Sequence, residues 1–527
     1  MKFSSQPKTI PLELFTPDLD QLPKHNRWVQ LGDTLPWDKI ELIYNSRLNN
    51  VNRGAGNKPA RMIIGALLIK HKMNLSDRET IDAIRENPYM QYMLGLKEFV
   101  DVPVFDASLF VTIRKRLGED DFNDMSESLL KLQIERHEEN QRHKAEKESS
   151  SHNEDNDRDD VNNGGASVAA PDSDKSSSET NQTVIRKGIL KIDATCSDAE
   201  VRYPTDLDIL HDGCEVMERI LDRFCNESGL QRPSTNFKHV HAVYAKVVKK
   251  KNKPLRELKR CTEHLLSALS RDIRIAFDLF ARTTTDHFFK LKRHDRELFS
   301  TILKMYSQQK GMFDSGIHRC DDRIVSIFQP HVRPIVRGKA KAKVEFGSKI
   351  GASIVGGYTF IDHFSWDAYN ESEDLIRHLR AYRKRFGCLP ELLESDKIYL
   401  NRRNRRILKF LHIEVGGKPL GRPSKSLQTA DYEARMAKYS GERNEIEATF
   451  GTGKRVYRAD NIRAKLADTG NSWCAACYFA KNVMKFLSGL LHVLTKLASF
   501  IQTWSCKIVE FGKPTDVWEL CPFVVRN

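Results

Sequence analysis

The sequence contains no uninterrupted apolar stretch long enough to cross a membrane. Its most hydrophobic window, Cys474 to Leu494, is broken by Lys481 and Lys485 and reads as a buried amphipathic helix. No glycine-rich phosphate loop is present, which leaves nucleotide hydrolysis without support. The opening MKFSSQPKTI leads into polar residues, so no secretory signal is expected. Ten cysteines are scattered without the spacing of a disulfide framework, which fits reduced thiols. Cys474 and Cys477 have a metal-like separation, but no second pair follows, and packed thiols are the better reading. These absences together predict a soluble, cytoplasmic protein.

What the chain does have is positive charge. Lys and Arg number 85 against 71 acids in 527 residues, a formal charge of +14. The excess is uneven. Residues 137–183 hold 5 basic and 12 acidic residues, so the remainder carries +21. A folded part this basic points to nucleic acid as the partner, with anionic membranes as the other class.

Residues 1–136 read as a helical N-terminal domain, with apolar residues at helical spacing and Ser76–Asp77 placed to start a helix. FDASLFVTIRKRLG, opening near Asp106 and Ser108, carries Arg114, Lys115 and Arg116. Three short helices with cations on the last suggest a DNA-binding helix-turn-helix, although a bundle with a solvated basic face fits equally. Residues 137–183 contain only Val161 and Val168 as sizeable apolar side chains and are expected to be a disordered acidic, Ser-rich linker.

Order resumes at VIRKGILKIDAT, a strand expected to end in Asp193. A helical insertion over about 206–316 follows and includes the lysine-rich run Lys246 to Arg260, a solvated face or a DNA track. His239 and His241 lie in FKHVHAVYA with no clustered partner in the sequence, so a surface or core role is expected rather than ligation. Gly356–Gly357 reads as a hairpin turn, and LPELLESD as a strand ending in Asp396. Asn401 to Leu411 is a basic helix with Arg402, Arg403, Arg405 and Arg406. The expected fold class is α/β, a mixed sheet with packed helices and a helical insertion after its first strand.

RNEIEATFGTGK, Arg443 to Lys454, is the most informative stretch. As a helix end it sets Arg443 and Glu447 on one face, with Glu445 pointing away. The Gly-Thr-Gly is expected to break the helix and leave Lys454 in a turn beyond it. A surface helix with ordinary ion pairs would read the same way when taken alone. Asp193 and Asp396 at strand ends and Glu447 on a late helix change that. Three carboxylates of this kind are hard oxygen ligands for Mg²⁺, and two such cations about 4 Å apart serve phosphodiester cleavage. Asp362 and Asp367, in FIDHFSWDAY, are competitors for the second position, and Trp366 there reads as core.

Several stretches carry a resemblance: KIDATCSDAEVRYPTDLDILHDG, VEFGSKIGASIVGGYTFIDHFSWDAYNESEDL, ESDKIYLNRRNRR and RNEIEATFGTGKRVY. They resemble the DDE transposases of bacterial insertion sequences, in the insertion-sequence-five group of the insertion-sequence-four-like superfamily. The likeness runs from about Ile185 to Leu494, and Pro59 to Gly118 resembles that group's N-terminal helical domain. It implies an RNase H-like core within 184–500, followed by a C-terminal tail over 501–527. It assigns Asp193, Asp396 and Glu447 as catalytic metal ligands for two Mg²⁺ ions, or Mn²⁺ in their place. The superfamily signature Tyr-x2-Arg-x3-Glu-x6-Lys is met by Arg443, Glu447 and Lys454, which would grip phosphates. The tyrosine is not met: its place is Ser440, one residue from Tyr439.

The implied reaction is cleavage at the element's terminal inverted repeats, then attack of the freed 3′-hydroxyl on target DNA. The implied partners are double-stranded DNA and a second copy of the chain, in a dimer or larger synaptic complex beside the nucleoid. From charge alone, Arg402, Arg403, Arg405 and Arg406, the lysine run and the N-terminal domain are candidate DNA contacts. Two alternatives remain: a decayed copy that binds without cutting, and a nuclease that cuts without joining.

Overall fold

The computed structural model describes residues 18–48, 56–151, 185–283, 291–336, 344–417 and 430–511. They fall into two units, one from the residues up to Ile185 together with those from Tyr478 on, the other Arg186–Cys477.

The first unit is helical: α1 (Arg27–Thr34), α2 (Trp37–Ser46), α3 (Ala60–Met73), α4 (Asp77–Glu86), α5 (Pro88–Met93), α6 (Leu109–Arg116) and α7 (Glu119–Ser151). Ser76 caps α4 in a reciprocal arrangement with Glu79, which is why that helix starts where the sequence places it. The cations of α6 are largely spent inside the unit. Arg114 grips both oxygens of Asp77 at 2.9 and 2.8 Å, and Arg116 donates to Tyr44 Oη at 2.9 Å. Of the three only Lys115 is fully exposed, so the basic face expected for a reading helix is reduced to one residue.

Helix α7 corrects the linker boundary. It continues to Ser151, carried past residue 136 by the helix-favouring Glu, Lys, Gln and Arg that fill that stretch. Residues 152–183 of the expected linker lie outside the described residues.

The second unit is built on β1 (Ile189–Ala199). Four helices follow it: α8 (Asp206–Ser228), α9 (Phe237–Val248), α10 (Leu255–Ala281) and α11 (Arg293–Ser315). They share their own core, in which Leu210, Met217, Ile220 and Phe224 meet Leu265, Leu269, Ile302 and Met305. The chain then returns to the sheet through β2 (Arg333–Val336), β3 (Val344–Val355) and β4 (Tyr358–Ser365). Gly356 and Gly357, with φ of 57° and 77°, make the β3–β4 turn, a conformation that glycine adopts without strain. Next come α12 (Leu375–Phe386), β5 (Leu392–Ser395), α13 (Arg402–Phe410), β6 (Glu414–Gly416), α14 (Ala430–Tyr457) and β7 (Asn461–Ile462).

The strand order is β2-β3-β1-β5-β6, with β4 also on β3 and β7 also on β1. β3 is antiparallel to β1, whereas β5 and β7 run parallel to it. Because β3 pairs with β1 from Lys191 through Asp198, the strand does not stop at Asp193 as the sequence suggested. Asp193 sits within it. On the opposite edge the β5 pairing ends at Ile192 and the β7 pairing begins at Asp198.

The last helix, α15 (Gly470–Phe511), contributes to both units. From Tyr478 on it belongs with the N-terminal helices: Asn482 Nδ2 donates to Ser126 Oγ at 3.0 Å, and Phe479 lies 5.7 Å from Phe122. The expected division at residue 500 therefore falls earlier, and the helix covers the first part of the expected tail, whose residues 512–527 lie outside the described residues. No helix among the described residues is long and apolar enough to cross a membrane.

Asp77 holds the N-terminal unit together. Burial alone would raise its carboxyl, but Arg114 and Lys70 outweigh that and keep it below the ordinary 3.8. Lys70, 2% exposed, reaches Asp77 at 2.8 Å. Asp77→Asn should cost about 3 kcal/mol in denaturant unfolding at neutral pH, since it removes the carboxylate that the buried Lys70 and Arg114 share. The wild-type advantage should be complete above pH 3.8 and shrink as the pH falls through the lowered value.

Candidate active site

Alternation along two neighbouring strands places the acids. In β1, Leu190 and Ile192 turn to a core shared with Leu375, Leu379, Tyr382, Leu393 and Leu408. Lys191 and Asp193 turn to the opposite face. In β5, Leu393 joins that core, so Glu394 and the following Asp396 share the face of Lys191 and Asp193. The parallel register ends with Ile192 opposite Ser395. Asp193 and Asp396 are each one residue further on, two carboxylates leaving adjacent strands at one level.

Both are half-buried, and each accepts a hydrogen bond from the next backbone N–H: Ala194 to Asp193 at 2.8 Å, and Lys397 to Asp396 at 2.6 Å. The charge of Asp193 is felt nearby. The buried Tyr399 phenol is pushed well above its ordinary value, by burial first and then by Glu371 and Asp193.

Helix α14 packs on β1 and β5 through a stripe of Ile446, Phe450 and Tyr457, at 1, 7 and 5% exposure. Glu445 and Glu447 flank Ile446 on opposite sides of that stripe. Lys191, 9% exposed, fixes one flank: its Nζ lies 2.7 Å from Glu445 and 3.5 Å from Glu394, itself 1% exposed. Glu447 stands exposed on the other flank. The three acids do not form a group whose ligand atoms all lie within 4.8 Å of one another. A site for two cations about 4 Å apart spreads its ligands more widely than a single-ion cluster does.

The Gly-Thr-Gly does not break α14. The helix runs through Gly451 and Gly453 to Tyr457, so Lys454 lies in its last turn. The packed stripe on either side, Phe450 and Tyr457, outweighs the helix cost of two glycines, about 1 kcal/mol each. Glu447 and Lys454 are consequently two helical turns apart on one face, as are Arg443 and Glu447 one turn apart. The Arg443 side chain lies outside the described residues. Lys454 is near enough to Asp198 to pull its carboxyl down, although burial and then Glu345 push it up further. Tyr439 is occupied elsewhere, donating to Glu414 at 2.8 Å.

On α13, Arg402, Arg403 and Arg406 are exposed, whereas Arg405 folds back to donate from Nε to the Leu400 carbonyl at 3.0 Å. Asp362 is no competitor for Asp396. Its side chain is fully buried, 2.7 Å from His378 and 2.5 Å from Arg385. Asp367 is exposed, 3.7 Å from Arg333. Trp366 is half-buried, packing against Ala199, Val325 and Val332 and donating to the Ala467 carbonyl at 3.1 Å, so it lies at the edge of the core rather than within it. Cys474 and Cys477 are both buried in α15.

Sequence reasoning missed Lys191. The available signal was a lone lysine inside the apolar run ILKID, where only a buried counter-charge makes a cation tolerable. Lys191→Met should lower unfolding free energy by about 3 kcal/mol, because it removes a counter-charge of the buried Glu394. Adding Glu394→Gln should restore most of the loss in denaturant melts. Equal losses in the single and double variants would contradict the pairing.

Two segments of the chain match families of known proteins. Residues 18–116 match the family described as Transposase domain (DUF772), and residues 393–486 match Transposase DDE domain. The second segment includes Asp396, Arg443, Glu447 and Lys454. The chain is also 30% identical over 132 residues to "Uncharacterized protein ORF8 in nfe locus" of Rhizobium meliloti. That stretch is 25% of this chain and 61% of the Rhizobium protein. No solved structure matches the chain. The two domain matches support a DNA transposase of the DDE type.

Proposed function

We propose that this chain is an insertion-sequence transposase with an RNase H-like core, of the insertion-sequence-five group. It binds the terminal inverted repeats of its element, cleaves there and joins the freed 3′-hydroxyl to target DNA. One observation carries the reading: Asp193 and Asp396 leave adjacent parallel strands one step beyond the Ile192–Ser395 pair, on the face that α14 covers. Glu447 is two residues from the point where Lys191 fixes α14 to that face.

Three carboxylates are a hard-oxygen donor set that suits Mg²⁺ or Mn²⁺, and Asp193, Asp396 and Glu447 would hold such ions. Bound divalent cations would lower the pKa of water and offset charge on the scissile phosphate. The chain's own part is positional. Half-burial and one backbone N–H each restrain Asp193 and Asp396, so their carboxylates meet DNA in a fixed orientation. Arg443 and Lys454 share the helical face of Glu447 and would receive non-bridging phosphate oxygens. The exposed guanidinium groups of Arg402, Arg403 and Arg406 would track the backbone of double-stranded DNA. Two ends must be brought together, which calls for at least a dimer.

Labelled repeat-end DNA with Mg²⁺ and a target duplex tests this. Nicked and joined product is expected from the native chain. Asp193→Asn, Asp396→Asn and Glu447→Gln should each abolish product while leaving DNA retention intact. Binding without product from the native chain would indicate a decayed copy, and nicking without joining a nuclease. Replacing Arg402, Arg403 and Arg406 by Gln should flatten the log–log salt dependence of binding by about 2.7. Arg405→Gln alone should leave that slope nearly unchanged, because its side chain is turned inward.

A further inference from the structure

The helical insertion carries a cationic loop that the proposed reaction leaves unused. Lys246, Lys249, Lys251, Lys253, Arg256 and Arg260, from the end of α9 into the first turns of α10, are all exposed. None of the six has an ion-pair partner among the described residues. The stretch from Lys246 to Arg260 holds one acid, Glu257, and Lys250 already takes it at 2.6 Å. Unspent charge of this density calls for a polyanion.

At the apex of the loop is an apolar pair. Pro254 and Leu255 are both exposed, Leu255 at 80%. One exposed leucine is ordinary on a protein surface, but this one has cations on both sides and a packed base beneath it. Val247 and Cys261, on either side of the loop, are buried in the core that α9 and α10 share with α8. An apolar tip on a firm base, flanked by Lys and Arg, is the means by which proteins part base steps from the minor groove and kink the duplex.

The place of the loop in the fold fits that use. Helices α8 and α10 run the same way, since Cys214 Sγ meets the Leu265 carbonyl at 3.9 Å and the rings of Phe224 and Phe280 are 4.7 Å apart. Helix α9 is antiparallel to α10, with His239 5.5 Å from His264 and Arg271 donating to the Thr235 carbonyl. The middle of α9 is already at the start of α8, where His241 Nδ1 lies 2.9 Å from His211 Nε2. Its lysine-rich end and the loop beyond are therefore level with the segment that brings the chain from β1 into α8. That is the carboxyl side of β1, and Asp396 likewise follows the carboxyl end of β5.

We propose that Leu255, backed by Pro254, is a wedge that enters the minor groove of duplex DNA and bends it, while the loop cations hold the flanking phosphates. The choice of DNA as partner rests on the transposase reading above; the wedge and the bend go beyond it. An anionic membrane would answer the charge equally, but a lone leucine offers a lipid surface little apolar area.

The test uses the full chain carrying Asp193→Asn, so that bound DNA is not cut, and a mixed-sequence duplex with a fluorescent donor and acceptor at its ends. Binding should bring the two ends closer. Leu255→Ser should abolish that change while weakening retention only about threefold, since the unstacking cost disappears along with the apolar gain. Leu255→Met should keep the bend. Replacing Lys251, Lys253 and Arg256 by Gln should reduce the log–log salt slope by about 2.7. All of these side chains are exposed, so none of the changes should disturb folding. A duplex bound without bending, or bent equally by Leu255→Ser, would overturn the wedge and leave cutting and joining untouched. Binding to phosphatidylserine vesicles that Leu255→Ser removes, with duplex bending unaltered, would also overturn it. A Leu255-dependent bend from a chain whose native form never joins DNA would uphold the wedge and sink the transposase reading. Failure to retain any duplex would remove both.

Discussion

A buried ammonium between two carboxylates is the constraint on which the second unit depends. Lys191 comes from β1, Glu394 from the neighbouring parallel strand and Glu445 from the long helix above them. Glu394 is nearly inaccessible, and Lys191 supplies it with a counter-charge at 3.5 Å. The same lysine reaches Glu445 and fixes which part of α14 lies over the β1–β5 seam. Asp193 and Asp396 are each two residues beyond Lys191 and Glu394 on that face, and Glu447 is two residues beyond Glu445. One ionic contact therefore sets the registration of three elements, each carrying an acid of the proposed site.

The sheet explains why such distant residues can work together. β1 receives its helical insertion immediately after its last residues, so the chain leaves the sheet for α8 to α11 and returns at β2. Those helices have their own apolar core, which lets the insertion be large without disturbing the strand pairing. The parallel neighbour of β1 is consequently far along the chain. The edge of β1 that β5 leaves at Ile192 is taken up by β7 only at Asp198, which leaves the level of Asp193 beside the end of β5.

Much of this was legible in the sequence, and the failures have physical causes. The hairpin at Gly356–Gly357, the cap at Ser76 and the strand before Asp396 follow from local chemistry and appear where expected. The end of β1 did not follow, because strand length is decided by the antiparallel partner β3, a distant segment. Gly451 and Gly453 look like breakers, yet the apolar stripe on either side of them keeps α14 intact. Cation counts misled for α6, where Arg114 and Arg116 serve internal partners, and partly for α13, where Arg405 turns inward. A sequence gives the charge of a helix; only the fold gives the fraction that faces solvent. The His211–His241 contact was illegible for the same reason, since it joins two helices through packing.

In the proposed reaction Asp193, Asp396 and Glu447 converge on shared cations. Replacing Mg²⁺ by Fe²⁺ and adding ascorbate and peroxide generates radicals that cut the polypeptide beside bound iron, and mass spectrometry maps the cuts. Breaks next to all three acids are expected, lost together when Asp193 is changed to Asn. Breaks beside only one or two of them, or breaks that survive that change, would contradict that convergence.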